Sequence, residues 1–196
     1  MNSTQTRSRN VHIYLESNPN PNSLKFVANF MLLPDGESYD FPDAASAEHA
    51  PLAKELFALE HVERVFYMSN FVTVTKSEKA EWAEIQETIK QHIKQHLEDE
   101  KPILAPEAFA EDHDDAGEDD ETVIKIKSIL DEYIRPAVEQ DGGAISFHSF
   151  REGIVKVLLQ GSCSGCPSST ITLKAGIENL LKTMVPEVQG VEAEGV

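Results

Sequence analysis

The residues best suited to chemistry stand in one short stretch, GSCSGCPSST, running from Gly161 to Thr170. It holds Cys163 and Cys166, the only two cysteines among 196 residues. Thiolates are both nucleophiles and soft metal ligands, so a Cys-x-x-Cys pair can be a redox dithiol, half of a zinc site or half of an iron-sulfur site. Serine, glycine and proline surround the pair, which argues against thiols kept for packing. Such a loop leaves the backbone free to approach a bulky inorganic group. It lies between a predicted strand ending at Gln160 and a predicted helix starting near Pro167. A helix start concentrates partial positive charge and unpaired N–H groups, which favour thiolate. Zinc or an iron-sulfur cluster wants four soft ligands, and no histidine stands within a few residues of either cysteine. Two thiols from each of two copies about a twofold axis would complete a four-thiolate shell.

The histidines offer less. His92 and His96 fall one turn apart on a predicted helix, but no Glu directly follows His92 and no acidic third ligand is near. His12, His49, His61, His113 and His148 are isolated, and surface or satisfied positions are the default for each.

The elements that must hold the cysteines come from hydrophobic periodicity. VHIYLE (11–16) and LKFVANF (24–30) read as strands around the turn-rich SNPNPNS. A helix opens at Pro51, with Leu52, Leu56 and Leu59 at helical spacing, and VERVFYMSNFVTVTK (62–76) reads as two strands. In the second of these, Val72 and Val74 alternate with Thr73 and Thr75 in the manner of a half-buried strand. Trp82, Ile85, Ile89, Ile93 and Leu97 then mark the core stripe of a helix over 78–97. Further on, TVIKIKSILDEYIRPAVEQ reads as an amphipathic helix that Thr122 can cap. AISFHSF and IVKVLLQ read as a hairpin across REG, TITLKAGIENLLKTM as a second helix, and EVQGVEA as a possible last strand. The fold class is α+β, in two small domains. The second is too short for the full sheet of a thioredoxin-like fold.

Charge marks the boundary. The formal net charge is −17, and it is concentrated: residues 98–121 carry 12 acids and one base, with two prolines and a glycine. That is the composition of a solvated, self-repelling linker. The expected organisation is a disordered tail over 1–10, a first domain over 11–97, the acidic linker over 98–121 and a second domain over 122–196. No basic face is visible, so nucleic acid is not an expected partner. No apolar run approaches the roughly 20 residues that cross a bilayer, and MNSTQTRSRN lacks the apolar block of a secretion signal, so membrane association is not expected and a cytoplasmic protein is.

Taken together, RPAVEQDGGAISF, GSCSGCPSS, TLKAGIENLLK and VPEV resemble the C-terminal domain of NifU-like (Nfu) iron-sulfur carrier proteins. NPNPNSLKF, PLAKELF, VERVF and FVTVTK, with Trp82, resemble the N-terminal domain of the two-domain members. The resemblance covers almost all of the chain outside the linker. It implies a scaffold or carrier, not a turnover enzyme, that holds a [4Fe-4S] cluster between two subunits and passes it to apo iron-sulfur client proteins. Cluster assembly machinery would supply it. By the same resemblance Cys163 and Cys166 are the cluster ligands, the loaded form is a homodimer, and the N-terminal domain serves target recognition. Two places depart from the family pattern: Ala144 where Asp usually follows the paired glycines, and Met68 and Asn70 where a Gly and an acid are usual. The competing function is a thiol-disulfide oxidoreductase with the same cysteines as nucleophile and resolver.

Overall fold

The computed structural model describes residues 10–34, 36–105, 120–164 and 167–195, with side chains of the last segment described from 171 onward. Cys166, His113, most of the expected tail and most of the acidic segment lie outside the described residues.

The first unit is a five-stranded antiparallel sheet backed by two helices. Strands β1 (Ile13–Ser17), β2 (Ser23–Ala28), β3 (Ser38–Phe41), β4 (Val62–Met68) and β5 (Phe71–Lys76) are ordered β1-β2-β5-β4-β3. Helices α1 (Pro51–Phe57) and α2 (Trp82–Glu98) cover one face. Alternation along the strands decides which side chains they meet: Leu24 and Phe26, Val65 and Tyr67, and Val72 and Val74 all point into the core with Leu52, Leu56, Ile89 and Ile93. Pro51 stands at the first turn of α1, where its missing N–H costs nothing. Trp82 opens α2, donates its indole N–H to the carbonyl of Pro21 at 3.0 Å, and packs edge-on against Phe26.

Strand β3 was not expected from the sequence. Residues just beyond α2 also behave differently from a solvated linker. Leu104 is buried in the same core, the N–H of Ala105 donates to the carbonyl of His49, and the carbonyl of Pro102 meets Nε2 of His96. The apolar pair Ile103 and Leu104 draws this stretch onto the first unit against the pull of the acids around it.

The second unit follows the expected order helix, strand, strand, helix, strand. Helix α3 (Glu121–Ile129) is capped by Asp120, whose carboxylate accepts from the N–H of Val123, rather than by Thr122. A π-helical turn over Leu130–Ile134 joins it to α4 (Arg135–Gln140). Pro136 explains the widening: it has no N–H to give, and its ring crowds the preceding turn. Strands β6 (Gly143–Arg151) and β7 (Ile154–Gly161) form the hairpin. Its two turn residues, Glu152 and Gly153, both have positive φ, and His148 forms a bulge. Helix α5 (Pro167–Met184) crosses over to β8 (Gly190–Gly195), which lies parallel to β7. Ile126, Ile145, Val157, Leu159, Ile177 and Leu181 lie in its core.

The two units touch. The face of the first sheet that α1 and α2 leave uncovered carries Phe66, Met68 and Phe71, which form an apolar cluster with Ala144 of β6. Thr73, expected on a solvent face, is 1% exposed because this second face is also covered.

Candidate functional site

Cys163 sits in the turn that follows β7. The register of the hairpin pairs Gly143 with Gly161, so this turn lies beside the Asp141–Gly142 turn that leads into β6. Two bonds from Ser162 tie the turns together, and a third closes the cysteine turn on itself. The N–H of Ser162 donates to the carbonyl of Gly142 at 3.3 Å, the Ser162 hydroxyl donates to the carbonyl of Asp141, and the N–H of Ser164 closes back on Gly161 at 3.1 Å.

Glycine is required at two places in this arrangement. A Cβ on Gly143 would come within 2.6 Å of the Gln160 carbonyl and 3.0 Å of the Cys163 sulfur. The sulfur therefore rests directly over the Gly143 backbone. Gly161 has φ +65°, and a Cβ there would also strike Gly142 and the ring of Phe66.

Cys163 is 6% exposed and belongs to the apolar cluster of the second unit, beside Ser162, whose hydroxyl oxygen is 3.9 Å from Sγ. The sequence led to the opposite expectation, an exposed loop thiol. The cluster it joins draws on the strand that leads into it, with Leu159, and on β6 and α5, with Ile145 and Ile177. Among the described residues no three His, Cys, Asp or Glu side chains gather as a metal-binding group.

The first unit reaches the same turn through polar groups. Nδ2 of Asn20, in the loop that Trp82 braces, donates to the carbonyl of Ser162 at 3.0 Å. The Thr73 hydroxyl donates to the carbonyl of Gly142 at 2.8 Å. Nζ of Lys25 lies 3.3 Å from the carbonyl of Glu139 and 3.5 Å from that of Gln140, a cation at the C-terminal end of α4. The same ammonium stands over the Phe71 ring and near Glu16. From β3, the Asp40 carboxylate accepts the N–H of Gly161 at 3.5 Å and pairs with Arg64. Burial pushes the Asp40 carboxyl above its ordinary pKa, with Arg64 opposing that shift. Burial also raises Asp141, and Lys25 opposes it. An open cleft of about 600 Å³ runs along this seam, lined by Asn22, Arg64, Lys76 and Lys79 of the first unit and by Ser164 of the cysteine turn.

His92 and His96 do not form a metal clamp. His96 is buried, with Nδ1 3.0 Å from Glu55 and Nε2 on the Pro102 carbonyl, while the exposed His92 turns Nδ1 back to the Thr88 carbonyl. Both ring nitrogens of His96 are engaged: Nδ1 ties α2 to α1 through Glu55, and Nε2 holds the Pro102 carbonyl to the first unit.

Two family models match the chain: the scaffold protein Nfu/NifU N-terminal domain over residues 13–100, and the NifU-like domain over residues 126–192. The chain is 46% identical over 187 residues to the NFU1 iron-sulfur cluster scaffold homolog, mitochondrial, of Drosophila persimilis, with 94% of this chain and 65% of that protein covered. The Drosophila willistoni protein of the same name is 45% identical over 184 residues, with coverages of 94% and 64%. The chain thus spans about 65% of the length of these relatives. Their names overturn the expectation of a cytoplasmic protein, since both are called mitochondrial. Among solved structures, the NifU-like protein of Saccharomyces cerevisiae aligns with 54% of this chain and 94% of its own at a TM-score of 0.46 and 21% identity. A Staphylococcus aureus protein aligns with 41% and 96% at a TM-score of 0.37 and 17% identity.

Proposed function

Because the chain belongs to the two-domain Nfu/NifU family, we propose that it is an iron-sulfur cluster scaffold that carries its cluster, as cargo, on Cys163 and Cys166. One observation supports this reading above the others: Cys163 is borne on two apposed glycine turns inside the unit that matches the NifU-like domain. Gly143 has no Cβ beneath the sulfur, so the thiol and the Gly143 backbone can approach closely where the two turns meet.

The cargo is a [4Fe-4S] cluster held between two copies of the chain. One chain offers two thiolates and a cubane presents four irons, so two chains complete the shell. Release proceeds by ligand exchange: thiolates of an apo iron-sulfur protein displace Cys163 and Cys166 in turn, and each copy gives up only two bonds. The chain is filled by cluster assembly machinery and acts as carrier rather than as catalyst.

Anaerobic reconstitution of the full chain with ferrous iron and sulfide tests the reading. The expected result is a visible thiolate-to-iron absorption band, about four irons per two chains, and loss of the band in Cys163→Ala and Cys166→Ala. A chain that stays colourless, or a full cluster retained by either variant, would refute it. A dithiol oxidoreductase would instead reduce a disulfide substrate with the same two residues and take up no iron.

A further inference from the structure

The outer face of the N-terminal sheet is built to fit the cysteine turn. Its polar donors, Asn20, Lys25 and Thr73, all give hydrogen bonds to backbone carbonyls at Glu139, Gln140, Gly142 and Ser162. They therefore read the conformation of the two turns, not the side chains on them. Asp40 does the same from the other side, taking the N–H of Gly161, and the Phe66 ring comes close enough to Gly161 to exclude a side chain there.

From this we propose that the N-terminal sheet is a docking surface for the chain's own cysteine turn, and that docking and cluster loading compete. The inference rests on the scaffold reading above. Cys163 is 6% exposed while the sheet is docked. To share a cargo with a second chain its sulfur must leave the Gly143 backbone and face outward, which moves residues 161–164. Those are the residues whose backbone Asn20 and Asp40 hold. A second copy must also reach the turn from outside, where Asn20, Thr73 and Phe66 of the first unit now lie against it and its neighbour.

The seam has the make-up of a contact that can open. Its apolar part is confined to Phe66, Met68, Phe71 and Ala144, with Val27 at the margin, and the rest is polar. Undocking leaves the core of the first unit intact, because that core lies on the opposite face of the sheet against α1 and α2. Loading draws on the undocked fraction alone, so its apparent rate and affinity fall in proportion to the docked population. The released face, with Phe66, Phe71 and Lys25 bare, is then free during the loaded state.

Lysine acetylation of the full chain, read by mass spectrometry under anaerobic conditions, tests this. Lys25 is 8% exposed and held in the seam, so it reacts slowly in the unloaded protein. After reconstitution with iron and sulfide its reactivity should rise by about tenfold or more, relative to the exposed Lys101. Two variants supply an independent measure. Phe66→Ser and the more conservative Thr73→Val weaken the seam from the N-terminal side without touching either cysteine, and each should load faster than the wild type, about fivefold for Phe66→Ser. Lys25 protection unchanged by a cluster that has formed, or variants that load no faster, would overturn the inference and leave the scaffold reading standing. Failure of the wild-type chain to take up any cluster would remove both.

Discussion

The hydroxyl of Thr73 donates to the backbone carbonyl of Gly142 across 2.8 Å, tying the middle of β5 to the turn that shoulders Cys163. Both groups are buried by the meeting of the two units. Thr73→Val keeps the shape and removes the donor, leaving the Gly142 carbonyl without that bond. The expected loss is about 1–2 kcal/mol, read as a lower midpoint in urea unfolding of the full chain. An unchanged midpoint would show that the two units do not hold each other in solution.

Cys163 contributes to structure as well as to chemistry. It packs in the apolar cluster of the second unit, so Cys163→Ala should cost about 1–2 kcal/mol in thermal or urea unfolding. A variant as stable as the wild type would mean that the thiol spends its time outside the cluster. Uptake of iron and sulfide is lost in either case.

Gly143→Ala tests how closely the sulfur and the strand pair approach this position. The added methyl meets the Gln160 carbonyl at 2.6 Å and the sulfur at 3.0 Å, and a paired backbone carbonyl cannot swing away. Destabilisation of about 1–3 kcal/mol is expected, together with altered chemical shifts at Gln160 and Cys163 in NMR spectra. Full stability would contradict the hairpin register at its open end.

Asp40 gives a pH signature. Burial raises its native pKa, with Arg64 opposing, so the native state holds this proton more tightly than the unfolded chain, whose value is near 3.9. A group of this kind favours folding most at low pH, and its contribution falls as pH rises through the native pKa. Urea unfolding from pH 4 to 7 should show the free-energy difference, wild type minus Asp40→Asn, declining with pH and then levelling. A difference that grows with pH would mean that Arg64 outweighs burial.

Much of this architecture is legible in the sequence. The strand-loop-helix setting of the cysteines follows from IVKVLLQ, the Gly-Ser-Cys run and the proline after it, and the sheets and long helices follow from their apolar spacing. What escapes is what covers a face. Thr73 and Lys25 alternate with core residues as a solvent-facing row would, and only the second unit makes them buried. Periodicity records which side chains share a face, not what meets it. Strand β3 escapes because SYDF is four residues between turns, too short to show alternation, yet it supplies Asp40. Cys163 escapes because the cluster that covers it is completed by β6 and α5, which the Ser- and Gly-rich residues around it do not announce. Ala144 and Met68, two of the three residues that depart from the family pattern, lie on opposite halves of the chain and share one cluster.

The seam also sets an order of events during synthesis. By Glu98 the ribosome has made every strand and helix of the first unit, with its inner face ready to close on α1 and α2. Phe66, Met68 and Phe71 on the outer face wait for Ala144 and for the turn that reaches Ser164. At about 5–20 residues per second the delay is roughly 3–13 s, long compared with the folding of a small domain. For those seconds a nascent chain shows an uncovered aromatic patch, and neighbouring chains on one message would present the same patch to each other. Pauses in translation after residue 98 would lengthen that exposure, so the codons for the acidic stretch become a place where slow decoding carries a cost in misassembled protein.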